Sequence, residues 1–448
     1  MNVRKIFCVI LAFLLIFTSI TLSASANGAE VAEIKADAAL TDKKIKTRSA
    51  VSDSIEISCT APPDYIYVTF WDVPVDLTIS GANEAEHFSG SFLHRLIKLP
   101  DVIKDTSLTL TFKATANVSE IEVIFGDTLP EHVQNWEDNN TLADLLLFST
   151  HADDDQLFFA GVLPLYATNE SCETQVVYFA DHNENLIRRH ELLNGLWAVG
   201  VTRYPVISPF PDAYSTSYSG ALSNLEKSGF SENDALAFQV EQIRKFKPLV
   251  ILGHDLKGEY GHGQHILNAT LLTRAVESAA VESEFADSKD KYGTHDTPKL
   301  YLHLYEENPV VLDLDTIIEG IGKTPFELSK IGYACHETQQ GYWFTRWLNG
   351  NNGEITKAKQ IEKYSPCKFG LYRTTVGADV LKTDLFENVT MRSLVPPPEP
   401  EPEPIPDTEP TPDISTDPID HKALLIGALV MIIIISLAVV KHFKKKEK

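Results

Sequence analysis

Between residues 52 and 127 apolar and polar positions alternate in short runs: Ser54–Cys59, Tyr65–Phe70, Val75–Ile79, Ser107–Thr115 and Glu120–Gly126, each bounded by turn residues. A period of two predicts half-buried strands, and several such strands without helical periodicity predict a small antiparallel β-sandwich domain over residues 52–130. From Asp144 the pattern changes. Nearly continuous apolar runs at Leu145–Ser149, Gln175–Ala180 and Leu249–Leu252 alternate with helical patterns from about Gln156, over Arg188–Val199 and over Asp234–Phe246. Buried strands joined by helices predict a parallel sheet covered on both faces. This is a doubly wound, Rossmann-like α/β domain over residues 142–395, with its chemistry outside the carboxyl ends of the strands.

Two longer apolar runs lie at the ends. Arg4 and Lys5 precede an apolar stretch from Ile6 to Leu22 and then Ala24-Ser25-Ala26. That order of basic, apolar and small residues predicts a signal peptide over residues 1–26, with an uncleaved anchor as the alternative. Ala423 to Val440 carries no charge and runs into Lys441-His-Phe-Lys-Lys-Lys. This predicts a transmembrane helix over 423–440 with a basic cytoplasmic tail over 441–448. Residues 396–420 are Pro-Glu repeats, a composition that favours an extended stalk over a core. The expected address is the cell membrane, crossed once, with the folded body outside on a Gram-positive-type surface.

Composition adds exclusions. The chain has 448 residues and a net charge of -23, from 39 Lys plus Arg against 62 Asp plus Glu. Eight of those positive residues sit at the two ends, so the body between them is more acidic still, and binding to nucleic acid phosphates is set aside. No Gly-x-Gly-x-x-Gly follows the first strand of the second region, which removes support for a dinucleotide site. Cys8 leaves with the signal; Cys59, Cys172, Cys335 and Cys367 form no readable disulfide framework, and Cys335 and Cys367 are open to either a bridge or free burial.

Two clusters carry candidate chemistry. Ser149-Thr150-His151-Ala152-Asp153-Asp154-Asp155 ends one strand, and adjacent carboxylates repel unless a cation sits among them. Alone it also reads as an acidic helix start favoured by the helix dipole. The second, His254-Asp-Leu-Lys-Gly-Glu259-Tyr260-Gly-His262-Gly-Gln264-His265, ends another strand. His262 and His265, three residues apart, are expected on one helical face. Two such clusters at strand ends of one sheet point to a metal site.

These residues resemble a known family. His151-Ala-Asp-Asp is similar to the His-Pro-Asp-Asp motif of the PIG-L (LmbE-like) zinc-dependent N-acetylglucosamine deacetylases, and Tyr260-Gly-His262-Gly-Gln-His265 to their His-x-x-His motif. Arg188 to Gly200 resembles the family's Arg-x-x-Glu stretch, and Cys335-His336-Glu-Thr-Gln339 its later His-x-x-Gln segment. The resemblance implies that His151, Asp154 and His265 bind zinc, that Asp153 is the general base, and that His262 sits beside the scissile amide. Three protein ligands leave a catalytic zinc an open position for activated water. Tyr260 would help stabilise the oxyanion, and Arg188 would meet a substrate hydroxyl or phosphate. The cofactor is expected to be Zn2+, with Fe2+ or another divalent metal as the alternative, and the substrate an N-acetylated sugar or glycan. Departures are Ala152 for Pro, Asp155 for Glu, and Gln264 where a carboxylate often stands. A rival reading is a glycan-binding surface protein, catalytically weak or inactive, that keeps the metal site for structure. A second is an iron(II) oxygenase, whose two-His-one-carboxylate triad would need a double-stranded β-helix.

Overall fold

The computed structural model describes residues 30–139, 142–169 and 172–392. The expected signal peptide, stalk, transmembrane helix and tail lie outside the described residues. Among the described residues no helix is long and apolar enough to cross a membrane.

The first part holds β1 (Ala32–Lys35), β2 (Ser49–Val51), β3 (Ser54–Cys59), β4 (Tyr65–Phe70), β5 (Leu77–Ser80), β6 (Ala85–Phe88), β7 (His94–Lys98), β8 (Ser107–Phe112) and β9 (Ala116–Ile124). They form two antiparallel sheets, β1-β3-β8-β5-β6 and β2-β9-β4-β7. In β3 and β8 alternate residues are buried, so the period-two pattern maps onto inward and outward faces. β1, β2, β6 and β7 were not legible: each is short, and β6 is polar and largely exposed at a sheet edge.

The second part is built on a seven-stranded sheet of β10 (Leu145–Ser149), β11 (Thr174–Tyr178), β12 (Val206–Ile207), β13 (Val250–Gly253), β14 (Lys299–His303), β15 (Pro309–Val311) and β16 (Lys368–Thr374). Its order is β12-β11-β10-β13-β14-β16-β15. The first five are parallel, but β16 pairs antiparallel with both β14 and β15, so the sheet is mixed and not wholly parallel as expected. Leu145 and Leu147 point into one core, shared with buried side chains of both N-terminal sheets. Leu146 and Phe148 point into a second core under α4 (Glu232–Phe246) and α5 (Gly263–Ala280). The other helices are α1 (Asp154–Leu157), α2 (Ile187–Ala198), α3 (Tyr218–Lys227), α6 (Ala286–Tyr292), α7 (Pro325–Ala334) and α8 (Thr345–Asn349). The helix expected from Gln156 is only the four-residue α1, which gives way to a π-helical turn at Pro164–Asn169.

Strand order reverses between β10 and β13, where one chain connection leads each way across the sheet. A crevice opens there outside the strand ends, the place where doubly wound sheets bind ligands. Both motif clusters leave the sheet at this point.

Candidate metal and active site

β10 ends at Ser149, and the next turn carries His151 and Asp154; β13 ends at Gly253, and the loop into α5 carries His254, Glu259, Tyr260, His262 and His265. Three donor atoms converge. His151 Nδ1 lies 3.0 Å from Asp154 Oδ2 and 3.1 Å from His265 Nε2, and His265 Nε2 lies 3.1 Å from Asp154 Oδ2. The three residues are buried. Ligands of a tetrahedral ion held at about 2.0–2.2 Å stand roughly 3.3–3.6 Å apart, so opening this triangle by a few tenths of an ångström admits one.

The outer hydrogen bonds fix which nitrogen each imidazole offers. His151 Nε2 faces Gln264 Oε1 at 3.0 Å, which leaves Nδ1 for the ion. His265 Nδ1 faces Glu259 Oε2 at 2.6 Å, which leaves Nε2. A carboxylate behind a ligating imidazole sets its tautomer and raises its basicity. His254 and His262 crowd the same place, in groups whose ligand atoms lie within 4.8 Å of one another. His254 Nε2, however, accepts the Thr150 N–H at 3.0 Å and its Nδ1 faces Glu259 at 2.8 Å, so that ring is already engaged. The residues fit a divalent ion, with His151, Asp154 and His265 as the set that has matching free atoms.

The three neighbouring aspartates have three different surroundings. Asp154 is buried, which by itself would raise its pKa, yet His265 and His151 outweigh this and hold it well below the carboxylate range. Asp153 is raised by burial, with Arg188 opposing; Arg188 Nη2 donates to its Oδ1 at 2.9 Å. Asp155 is turned inward, where burial drives it well above the carboxylate range and the Gln156 amide donates to it at 2.7 Å. His265, despite burial, is pushed up to about 10 by Asp154 and Glu259.

His262 does not share a helical face with His265. It is the N-cap of α5, with extended backbone at φ -70° and ψ 120°, and its Nδ1 accepts the Gln264 N–H at 3.3 Å. A cap residue satisfies a helix-start N–H with its own side chain, and here that leaves Nε2 to carry the proton of the neutral ring. Its ring still sits 4.6 Å from those of His151 and His265. Burial, then His151 and His265, drive its pKa far down. Neither Glu259 nor Asp255 bonds to it: Glu259 receives His254, His265, His303 at 2.6 Å and the Asp255 N–H. Tyr260 has positive φ, 48°, and its ring packs beside both His262 and His265 at centroid distances of 5.4 and 5.7 Å. Burial holds its hydroxyl protonated.

Arg188 serves the protein's own acids. Besides Asp153 it reaches Asp212 Oδ2 at 3.3 Å. Asp212 and His182 were not anticipated: His182 Nδ1 lies 3.1 Å from Asp212 Oδ2, and its Nε2 accepts the Ala152 N–H at 3.1 Å. The motif departure was the available signal, because a proline at 152 would have no N–H to give. Glu191 accepts from Thr338 N and Oγ1 at 2.9 and 2.6 Å and so ties the 336–340 segment to α2. His336, of the segment that resembles the family's His-x-x-Gln, is fully buried and neither ring nitrogen has a hydrogen-bond partner among the described residues. Cys335 and Cys367, open to a bridge by sequence, are free thiols, as is Cys59.

No family model matches the chain. Among curated proteins it is 27% identical over 157 residues to the 1D-myo-inositol 2-acetamido-2-deoxy-alpha-D-glucopyranoside deacetylase 1 of Catenulispora acidiphila, covering 30% of this chain and 49% of that protein. With the deacetylase of the same name in Rhodococcus jostii it is 28% identical over 202 residues, 40% of this chain and 66% of that one. The chain thus spans about half to two thirds of the length of the curated relatives it matches. Among solved structures it is similar to the N,N'-diacetylchitobiose deacetylase of Pyrococcus horikoshii, at 14% identity and a TM-score of 0.38, over 52% of this chain and 83% of that one. The resemblance to PIG-L (LmbE-like) deacetylases carried by the motifs therefore holds against curated relatives as well.

Proposed function

We propose that this chain is a surface-anchored, metal-dependent hydrolase that removes the acetyl group from an N-acetylated amino sugar, with the two N-terminal antiparallel sheets forming a β-sandwich domain beside it. The observation that carries the reading is the triangle of His151, Asp154 and His265 donors set next to Asp153 in a cavity of about 490 Å3. A divalent ion, zinc by the donor set, would supply Lewis-acid activation of water and of the amide carbonyl there.

The chain's own groups account for the proton movements. Arg188 holds Asp153 Oδ1, which leaves Oδ2 to accept the proton of the attacking water. Burial already raises Asp153, so the protonated acid is accessible and can return that proton to the departing nitrogen. The C–O bond forms, the C–N bond breaks, and acetate and a free amine leave. His262 Nε2–H and the Tyr260 hydroxyl line the cavity as neutral donors for the developing oxyanion. Surface anchoring rests on the apolar run Ala423–Val440, the lysine-rich end and the leading Ile6–Leu22 run. The test is acetate and amine release by the zinc-loaded protein across a panel of N-acetylated sugars. Turnover with metal, lost on chelation and restored by zinc, is the expected result; metal binding without turnover of any amide would leave the glycan-binding alternative.

A further inference from the structure

The cavity continues into an aromatic rim that the chemistry above does not use. Tyr260, beside the metal ligands, packs its ring at 5.7 Å from Trp343 and 5.2 Å from Trp347. Trp343 is itself clamped edge-on against Trp347 at 4.6 Å, and Tyr342 stacks parallel on Phe344 at 5.3 Å. Yet Tyr342 and Trp343 are 54% and 55% exposed. Two large rings packed against their neighbours and left open to water, adjoining a reaction site, form a binding surface. Tyr342 and Phe344 line the cavity itself, so the rim is continuous with it.

Charge narrows the ligand. Asp153, Asp154, Asp181, Glu184 and Asp212 line the cavity against one cation, Arg188. Arg188 is engaged by Asp153 and Asp212, and Asp181 by Arg189 at 2.8 and 2.6 Å. No side-chain cation in the lining is free to receive a phosphate or carboxylate of a substrate, and the acids that do not hold the ion repel one. Arg188, expected to meet a substrate hydroxyl or phosphate, here has Asp153 and Asp212 as partners.

Resting on the proposed deacetylase reading, we propose that the site takes an uncharged N-acetylated glycan of several residues: the reacting sugar enters the cavity and the next residues lie with their C–H faces on Tyr342 and Trp343. Covering these rings removes apolar surface from water without asking for any charged partner.

The test uses the zinc-loaded protein with N-acetylglucosamine oligomers of increasing length, from the monosaccharide upward, and the monosaccharide 6-phosphate. kcat/KM should rise about tenfold or more from monomer to trimer, and the phosphate should be a poorer substrate than the monomer. Tyr342→Ala and Trp343→Ala should each shrink the trimer-to-monomer ratio severalfold, whereas Tyr372→Ala, which removes an exposed ring on β16 outside the cavity lining, should not. A flat length profile, or a 6-phosphate used as well as the monomer, overturns the proposal. Tryptophan fluorescence titration with the same oligomers separates this from failure of the deacetylase reading. A saturable change lost in Tyr342→Ala, which keeps the reporting tryptophans, supports the platform even if no amine is released, and no change with any oligomer overturns it.

Discussion

In the metal-free protein His265 is a proton trap, and metal uptake must empty it. Its Nδ1 faces Glu259 at 2.6 Å and its Nε2 faces Asp154 at 3.1 Å, both fully buried, and its pKa is pushed up to about 10. The ion takes the Nε2 position, so binding releases that proton. At pH 7, three units below, the proton competes with the ion by roughly a thousandfold, about 4 kcal/mol. Zinc affinity should therefore climb about tenfold per pH unit between roughly pH 7 and 9. Stability follows with the opposite sign. A raised folded-state pKa stabilises the metal-free protein fully below the unfolded histidine value of about 6.5, and this stabilisation is lost as the pH rises through about 10. Bound zinc should remove that dependence. Calorimetric zinc titrations in two buffers of different ionisation enthalpy count the protons directly. A pH-independent affinity with no proton released between pH 6 and 9 would refute the assignment of His265 as a ligand through Nε2.

Four further outcomes are expected. Asp153→Asn should retain zinc, read by metal analysis, while lowering kcat by about 10² to 10⁴; undiminished kcat would remove the general-base role. Arg188→Gln takes away the cation that opposes burial at Asp153, so the acid limb of the pH–rate profile should move about one to three units toward alkaline pH, and an unmoved limb would mean that the pair does not tune the base. His262→Gln should cost about tenfold in kcat, the loss of a neutral donor, since a loss of 10² or more with a basic limb near neutrality would make it a general acid after all. Gly195→Ala places a Cβ 2.8 Å from His336 Nε2 and 3.1 Å from the Gly332 carbonyl, between α2 and α7, and should lower stability by about 1–3 kcal/mol in denaturant melts; an unchanged melt would show that the two helices separate freely.

What the sequence by itself determined is local. His151 and Asp154 lie within one strand-end turn, and Tyr260, His262 and His265 within one loop and first helical turn, so their identities and order were readable wherever the sheet placed them. The strand–helix alternation likewise announced the sheet whose crevice brings the two clusters together. Tertiary structure decided everything that depends on distant partners. Glu259 joins His254 and His265 to His303, 44 residues away, and nothing in the spacing marks it as the group behind a ligand. Asp153, Asp154 and Asp155 are identical in sequence, yet one meets Arg188, one two imidazoles and one the interior, because successive residues at a tight turn point in different directions. Even His262 took a role that helical spacing did not foretell, since the backbone reaches α-helical geometry only after it. A motif states which donors a short segment offers; burial and the charges arriving from other strands determine which of them holds a proton, an ion or nothing.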